Sequence, residues 1–181
     1  MKNSKVKKMR ILNASQIKAV LERFAREMTR QYGSLDQVVF IGVRTRGPYV
    51  AKRLAEIIKK RHGKEIPVGE MDITLYRDDL NALLPGGSID HTKIPFDIAN
   101  KIVVLFDDVL HTGRTVRAAV DHLIDLGRPR MIHLAVMIDR GGRELPVAAN
   151  YVGKTIKLMA AGQVHVRLKE VDRADEVVVE S

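Results

Sequence analysis

Two adjacent carboxylates, Asp107 and Asp108, stand at the end of the apolar run Ile102–Phe106. Thr112-Gly113-Arg114-Thr115 comes close behind them, and a helical pattern follows in which Val116, Ala119, Val120, Leu123 and Ile124 share a face. The order has a specific chemical meaning. A continuous apolar run reads as a buried parallel strand. Such a strand delivers its last residues to the carboxyl edge of an open α/β sheet, where ligands bind. A turn rich in glycine and hydroxyls before a helix offers backbone N–H groups to an anion. One end of the ligand is therefore expected to be a phosphate. The other carries hydroxyls or a divalent metal, which carboxylates hold. A ribose phosphate meets both demands.

The elements that must position these residues can be read from the chain. Asn13 with Gln16 three residues on marks a helix start, and Ile17, Val20, Leu21, Phe24 and Met28 carry one face to about Gln31. The opposite face holds Lys18, Glu22, Arg23, Arg26 and Arg30, read first as a solvated face. Gln37–Gly42 reads as a buried strand feeding Val43-Arg44-Thr45-Arg46-Gly47. Pro48 then suits the first turn of a helix that Gly63 ends. Gly42 and Gly47 have P-loop spacing, but Pro48 stands where Lys and Ser or Thr are needed, which disfavours a nucleotide triphosphatase. Either a short anion-binding loop, with Arg46 on a diphosphate, or an ordinary strand-to-helix turn remains. Val68–Tyr76 reads as a strand leaving the core. The polar stretch 77–95 reads as a flexible lid with Arg77 at its base. Arg130–Ile138 reads as another strand, delivering Asp139-Arg140-Gly141-Gly142 to the same edge. Short strands near 151–152, 163–168 and 176–180 read as a small cap or edge sheet.

Composition narrows the class. The 181 residues are 45% hydrophobic and 29% charged, which is ordinary for one globular domain. There is no cysteine, which excludes disulfides and thiolate catalysis and fits a cytoplasmic location. No run reaches the length of a membrane span, and no apolar segment follows the basic start to make a signal peptide. The formal charge is +9, but five of the basic residues lie in residues 1–10 without an acid. That segment is expected to be a solvated tail, with a single domain over 11–181. Charge alone therefore argues weakly for nucleic acid, and four Phe, four Tyr and no Trp argue against a base-stacking platform. The six histidines show no metal-ligand spacing. His133 reads as structural and His111 as a loop filler rather than a base.

The stretch Lys101–Thr115 resembles the phosphoribosyl-diphosphate signature of type I phosphoribosyltransferases. Asp107 onward, DDVLHTGRTVRAA, is similar to the PyrR branch of that family. Gly42–Gly47 (GVRTRG), Asp72–Leu80 (DITLYRDDL), Leu126–Pro129 (LGRP), Asp139–Pro146 (DRGGRELP) and Tyr151–Lys154 (YVGK) agree with that branch. The resemblance implies an α/β fold with a central, mainly parallel sheet flanked by helices and a small hood of short strands. It also implies a uracil phosphoribosyltransferase, which uses Mg²⁺ bound with phosphoribosyl diphosphate and makes UMP. Asp107 and Asp108 would be catalytic, holding the ribose hydroxyls. His111, Thr112, Gly113, Arg114 and Thr115 would take the 5′-phosphate. Thr45, Arg46 and Arg77 would hold the diphosphate, and Met137, Ile138, Asp139 and Arg140 would lie near the base. No residue is assigned as a direct metal ligand. Asp108 is the candidate for taking the uracil proton.

The same resemblance implies regulation. With UMP or UTP bound, members of the branch bind pyrimidine-operon leader mRNA and promote transcription attenuation. They do so on a basic face of a homodimer or higher homo-oligomer. Arg143 and Lys154 match that face, and Arg26 stands where a His is common. Glu22 stands for a common Thr, Gly142 for a common His and Ala148 for a common Arg. A dual protein and an enzyme with lost or altered RNA binding are both open. A pure RNA regulator is disfavoured by the presence of Asp107, Asp108, Thr45 and Arg46.

Overall fold

The computed structural model describes residues 8–76, 91–158 and 162–180. The chain opens with strand β1 (Lys8–Asn13) and helix α1 (Ala14–Tyr32), joined by a reciprocal cap. Gln16 N–H donates to Asn13 Oδ1 and Asn13 N–H to Gln16 Oε1, both at 2.9 Å. These bonds satisfy two donors that a helix start would leave orphaned. Then come β2 (Val38–Val43), α2 (Gly47–His62) and β3 (Val68–Met71). They are followed by β4 (Ile102–Leu110), α3 (Arg114–Leu126), β5 (Met131–Asp139) and β6 (Tyr151–Thr155). The chain ends with β7 (Gln163–Arg167), the one-turn helix α4 (Lys169–Asp172) and β8 (Glu176–Glu180).

Strands β2 to β6 form one parallel sheet in the order β3-β2-β4-β5-β6. Its central strands are apolar on both faces because both are covered. Val38, Phe40, Val104 and Phe106 pack with Phe24 of α1 and with Leu54 and Ile58 of α2. Val39, Ile41, Val103 and Leu105 point the other way, to Val116, Ala119 and Leu123 of α3. The two-residue period of a strand sorts one apolar run onto two cores. Phe24, Phe40 and Phe106 are fully buried, and such a side chain contributes about 1.5–3 kcal/mol.

Four sequence expectations change. The segment read as a tail includes Lys8–Arg10, which pair with Val178–Glu180 in an antiparallel sheet of order β1-β8-β7. Of the three late strands, β6 joins the main sheet, and only β7 and β8 build the hood, with β1 as third strand. The expected strand Val68–Tyr76 stops at Met71. The Asp72 carboxylate accepts from Thr74 N–H (3.0 Å) and hydroxyl (2.6 Å), and this local bonding turns the chain into a 3-10 turn at Thr74–Tyr76. On α3, Ile124 is 61% exposed, while Ala118 and His122 are buried. His122 stays inside because its ring stacks on Tyr76, with centroids 4.3 Å apart. Arg77 and most of the expected lid lie outside the described residues. The end of that stretch is described, and Lys93 exchanges backbone hydrogen bonds with Glu70 beside β3.

Candidate active site

The strand order reverses between β2 and β4, so their carboxyl ends open a crevice. Two glycines bring its walls together. A Cβ on Gly42 would lie 2.1 Å from Pro48 N, and one on Gly47 would lie 2.3 Å from the Phe106 carbonyl oxygen. The glycine spacing seen in the sequence is thus a packing requirement of β2, α2 and β4. The loop between them, with a cis Arg44–Thr45 peptide, faces the Asp107-Asp108 pair.

The resulting cleft encloses about 470 Å³ and is mostly polar. Arg44, Thr45, Arg46, Asp72, Asp107 and Asp108 line it, with Thr115 of α3 at one end. The acids sit inside β4 rather than after it. Asp107 is 7% exposed, and its Oδ1 accepts from Asp108 N–H at 2.8 Å. Asp108 Oδ1 accepts from Val109 N–H at 2.9 Å. These bonds aim both carboxylates along the edge. A larger groove of about 640 Å³ lies between α3 and the 145–150 segment, but it is mainly apolar and gathers no carboxylate pair. The carboxylate pair belongs to the smaller cleft.

At the α3 end, Gly113 takes φ +95° as the residue before the helix, a conformation suited to glycine. The segment 141–147 braces this turn. Glu144 and Leu145 N–H donate to the Thr112 carbonyl, and Arg114 Nε meets Glu144 Oε2 at 2.7 Å. His111 is exposed beside this turn. Its pKa is pushed down, first by desolvation and then by the Arg140 cation, with Glu144 opposing and Arg143 adding a smaller push.

The residues expected near the base separate into two kinds. Met137 and Ile138 are fully buried, and Ile138 lies in register between Val109 and Lys154. Asp139 and Arg140 are half-buried at the strand end and are the groups that reach the edge. Arg140 Nε is buried without a hydrogen-bond partner among the described residues. Arg143 turns inward. It donates to Asp139 Oδ2 (2.5 Å) and to the carbonyls of His111 (2.8 Å) and Val147 (3.0 Å). Arg26 and Lys154, by contrast, are exposed. Arg77 lies outside the described residues.

Two groups that line the cleft, and one that grips it from outside, had no assigned role in the sequence. Asp72 and Arg44 lay inside motifs already singled out, so spacing offered their only signal. Asp172 had none. It sits on α4, yet Arg46 Nε and Nη2 donate to its two oxygens at 3.0 and 2.7 Å.

Comparison with known proteins shows the family and the fold. Residues 9–170 match the phosphoribosyl transferase domain. The chain is 52% identical over 169 residues to the bifunctional protein PyrR of Chloroflexus aurantiacus, covering 93% of both chains. It is 47% identical to that of Thermus thermophilus, covering 94% of both. This chain belongs to the PyrR family of phosphoribosyltransferases. The fold is also that of more distant structures. A hypoxanthine phosphoribosyltransferase of Trypanosoma cruzi superposes with a TM-score of 0.72 at 16% identity, covering 94% of both chains. One from Staphylococcus aureus gives 0.71 at 19%, covering 94% of this chain and 90% of that one. Among the described residues, no helix is long and apolar enough to cross a membrane.

Proposed function

We propose that the cleft between β2 and β4 transfers the ribose 5-phosphate of phosphoribosyl diphosphate to uracil, giving UMP and diphosphate. The observation that carries this is the placement of Asp107 and Asp108 opposite the 44–46 loop, with the α3 N-terminus beside them. The ribose 2′- and 3′-hydroxyls donate to the two carboxylates. The 5′-phosphate takes the turn at 111–115, where backbone N–H groups and the helix dipole favour an anion. Thr45 and Arg46 hold the diphosphate; Arg77, expected to join them, lies outside the described residues. As the bond at C1′ breaks, positive charge grows on the ribose, and the carboxylates stabilise it. Asp139 and Arg140 serve the base side, and Asp108 is the candidate for accepting the uracil proton.

The donor set fits Mg²⁺ entering with its substrate. Asp72, Asp107 and Asp108 offer hard oxygen ligands, while the described residues contain no cluster able to cage a metal alone. Bound there, Mg²⁺ would neutralise charge on the diphosphate. Replacing Asp108 with Ala tests the assignment: UMP formation collapses if it is right, and full activity would refute it.

The second role is uridine-nucleotide-dependent attenuation through pyrimidine leader RNA, and membership of the PyrR family favours it over an enzyme alone. One structural observation supports an RNA face. Arg23 of α1 donates to the Val152 and Gly153 carbonyls of β6, which places α1 beside Lys154. Arg26, Arg30 and Lys154 are exposed on these two elements. Gly142 and Ala148 leave two basic positions of the family empty, and Glu22 is paired with Arg61 at 3.2 Å. We place the protein in the cytoplasm as a homodimer or higher homo-oligomer. Filter binding to a leader stem-loop across a salt series, with and without UMP, tests this role. UMP-stimulated binding with a steep salt slope supports it, and weak binding indifferent to UMP removes it.

A further inference from the structure

Arg46 is the only cleft cation whose side chain is tied, among the described residues, to a distant part of the chain. Its Nε and Nη2 form a two-point contact with Asp172, 126 residues away. Its Nη1 lies 3.8 Å from Asp108 Oδ2 and has no hydrogen-bond acceptor among the described residues. The guanidinium is thus gripped on one side and left open on the side that lines the cleft. Asp172 is itself held, because its Oδ2 accepts from Leu168 N–H at 3.0 Å. Neither partner is freely solvated: their side chains are 29% and 19% exposed. A fork-to-fork contact of this kind fixes the plane of an arginine as well as its position.

We propose that Asp172 is a positioning residue of the transferase reaction, holding Arg46 so that its free Nη1 edge meets the diphosphate of phosphoribosyl diphosphate. This rests on the reading of Arg46 given above. The long arginine side chain would otherwise sample many rotamers at the mouth of the cleft, and ordering it would oppose substrate binding. Arg46 has five N–H donors and spends only two on Asp172, so the contact does not compete with the diphosphate. Hydrogen bonding from Arg46 holds the Asp172 carboxyl below its ordinary range, against a smaller opposing effect of burial.

A purely structural role is separable, because the same one-turn helix has a second anchor that avoids the cleft. Arg53 donates to Glu170 at 2.8 and 2.6 Å and to Asp175 at 2.7 Å. Glu170→Gln therefore loosens α4 without touching Arg46. The experiment is steady-state kinetics on the full chain for Asp172→Asn, Glu170→Gln, Arg46→Gln and the double variant Arg46→Gln/Asp172→Asn, with thermal melts of each.

Asp172→Asn is expected to raise KM for phosphoribosyl diphosphate roughly tenfold. KM for uracil should stay unchanged, and the effect should vanish in the Arg46→Gln background. Glu170→Gln should shift the melt and leave KM alone. Wild-type KM in Asp172→Asn with a raised KM in Arg46→Gln would overturn the positioning role while sparing Arg46. An equal KM rise in Glu170→Gln, or independent effects in the double variant, would overturn it too. Wild-type kinetics in Arg46→Gln would remove the reading of Arg46 and the inference with it.

Discussion

The β4–α3 unit lines the cleft and the hood end of the chain reaches it through the Arg46–Asp172 pair, but the two are specified in opposite ways. In β4–α3, the strand, both carboxylates, the glycine turn and the helix follow one another within Ile102–Leu126. Each local preference there agrees with the final fold. The hood is assembled from the two ends of the chain. Lys8 pairs with Glu180, Arg46 with Asp172, and Arg53 with Asp175. Contiguous chemistry presents itself as a motif. Chemistry built across more than a hundred residues does not, even when it touches the same substrate pocket.

The largest effect should come from the local unit. Asp108→Ala removes a carboxylate that the proposed reaction uses and leaves the buried core untouched. UMP formation should fall by roughly 10²- to 10³-fold, with an unchanged melting temperature. An activity loss matched by unfolding would show instead that Asp108 holds β4 together.

The next prediction asks whether the hood is a separate unit. Leu168 and Val177 are buried in the same cluster as Leu54 and Phe106. Leu168→Ala should therefore cost about 2–5 kcal/mol, as a core truncation does, and the protein should still melt in one transition. A second, early transition would make the hood an independent module.

What could be read beforehand follows from this contrast. The parallel sheet, the helix cap at Asn13 and Gln16 and the acidic pair were legible because each is encoded within a few residues. The status of Lys8–Arg10 was not, since a basic segment becomes a strand only when β8 supplies its partner. The inward turn of Arg143 was equally hidden, because its acceptors lie on Asp139, His111 and Val147. An arginine read as a surface contact is tied into the loop that braces the α3 turn. The end of the strand at Met71 was encoded locally, in Asp72 and Thr74, whose side-chain bonding turns the chain before Tyr76.

Gly47 sharpens the comparison at a smaller scale. Its Cβ would fall 2.3 Å from the Phe106 carbonyl, which is backbone and cannot swing aside. Gly47→Ala should destabilise the protein by about 1–3 kcal/mol and weaken the transferase by parting β2 from β4. Gly63→Ala meets nothing within 4 Å, but its φ of +66° still strains an alanine. It should lower stability modestly, by about 1 kcal/mol, and leave UMP formation alone. Equal activity losses in both would mean that the approach at Gly47 has no bearing on the cleft.

The smallest effect concerns a polar cluster away from the chemistry. His133 of β5 stacks on Tyr32 of α1 and hydrogen-bonds its hydroxyl through Nδ1, and Tyr151 of β6 lies against both. Burial pushes the His133 pKa below its ordinary 6.5. Above pH 6.5 the ring is neutral in both folded and unfolded chains, and its contribution to stability is fully present. Below 6.5 the unfolded chain binds a proton that the folded chain refuses. Stability therefore falls as pH drops from 6.5 toward the lowered folded value. One such group has a ceiling of about 1.4 kcal/mol per pH unit, and partial solvent screening of His133 keeps the slope well below it. His111 is shifted in the same direction, so the measurement is a difference. Urea unfolding between pH 5 and 7 should show a shallower slope in His133→Gln than in the unaltered chain. An identical slope would remove His133 from the pH response and with it the seam between α1, β5 and β6.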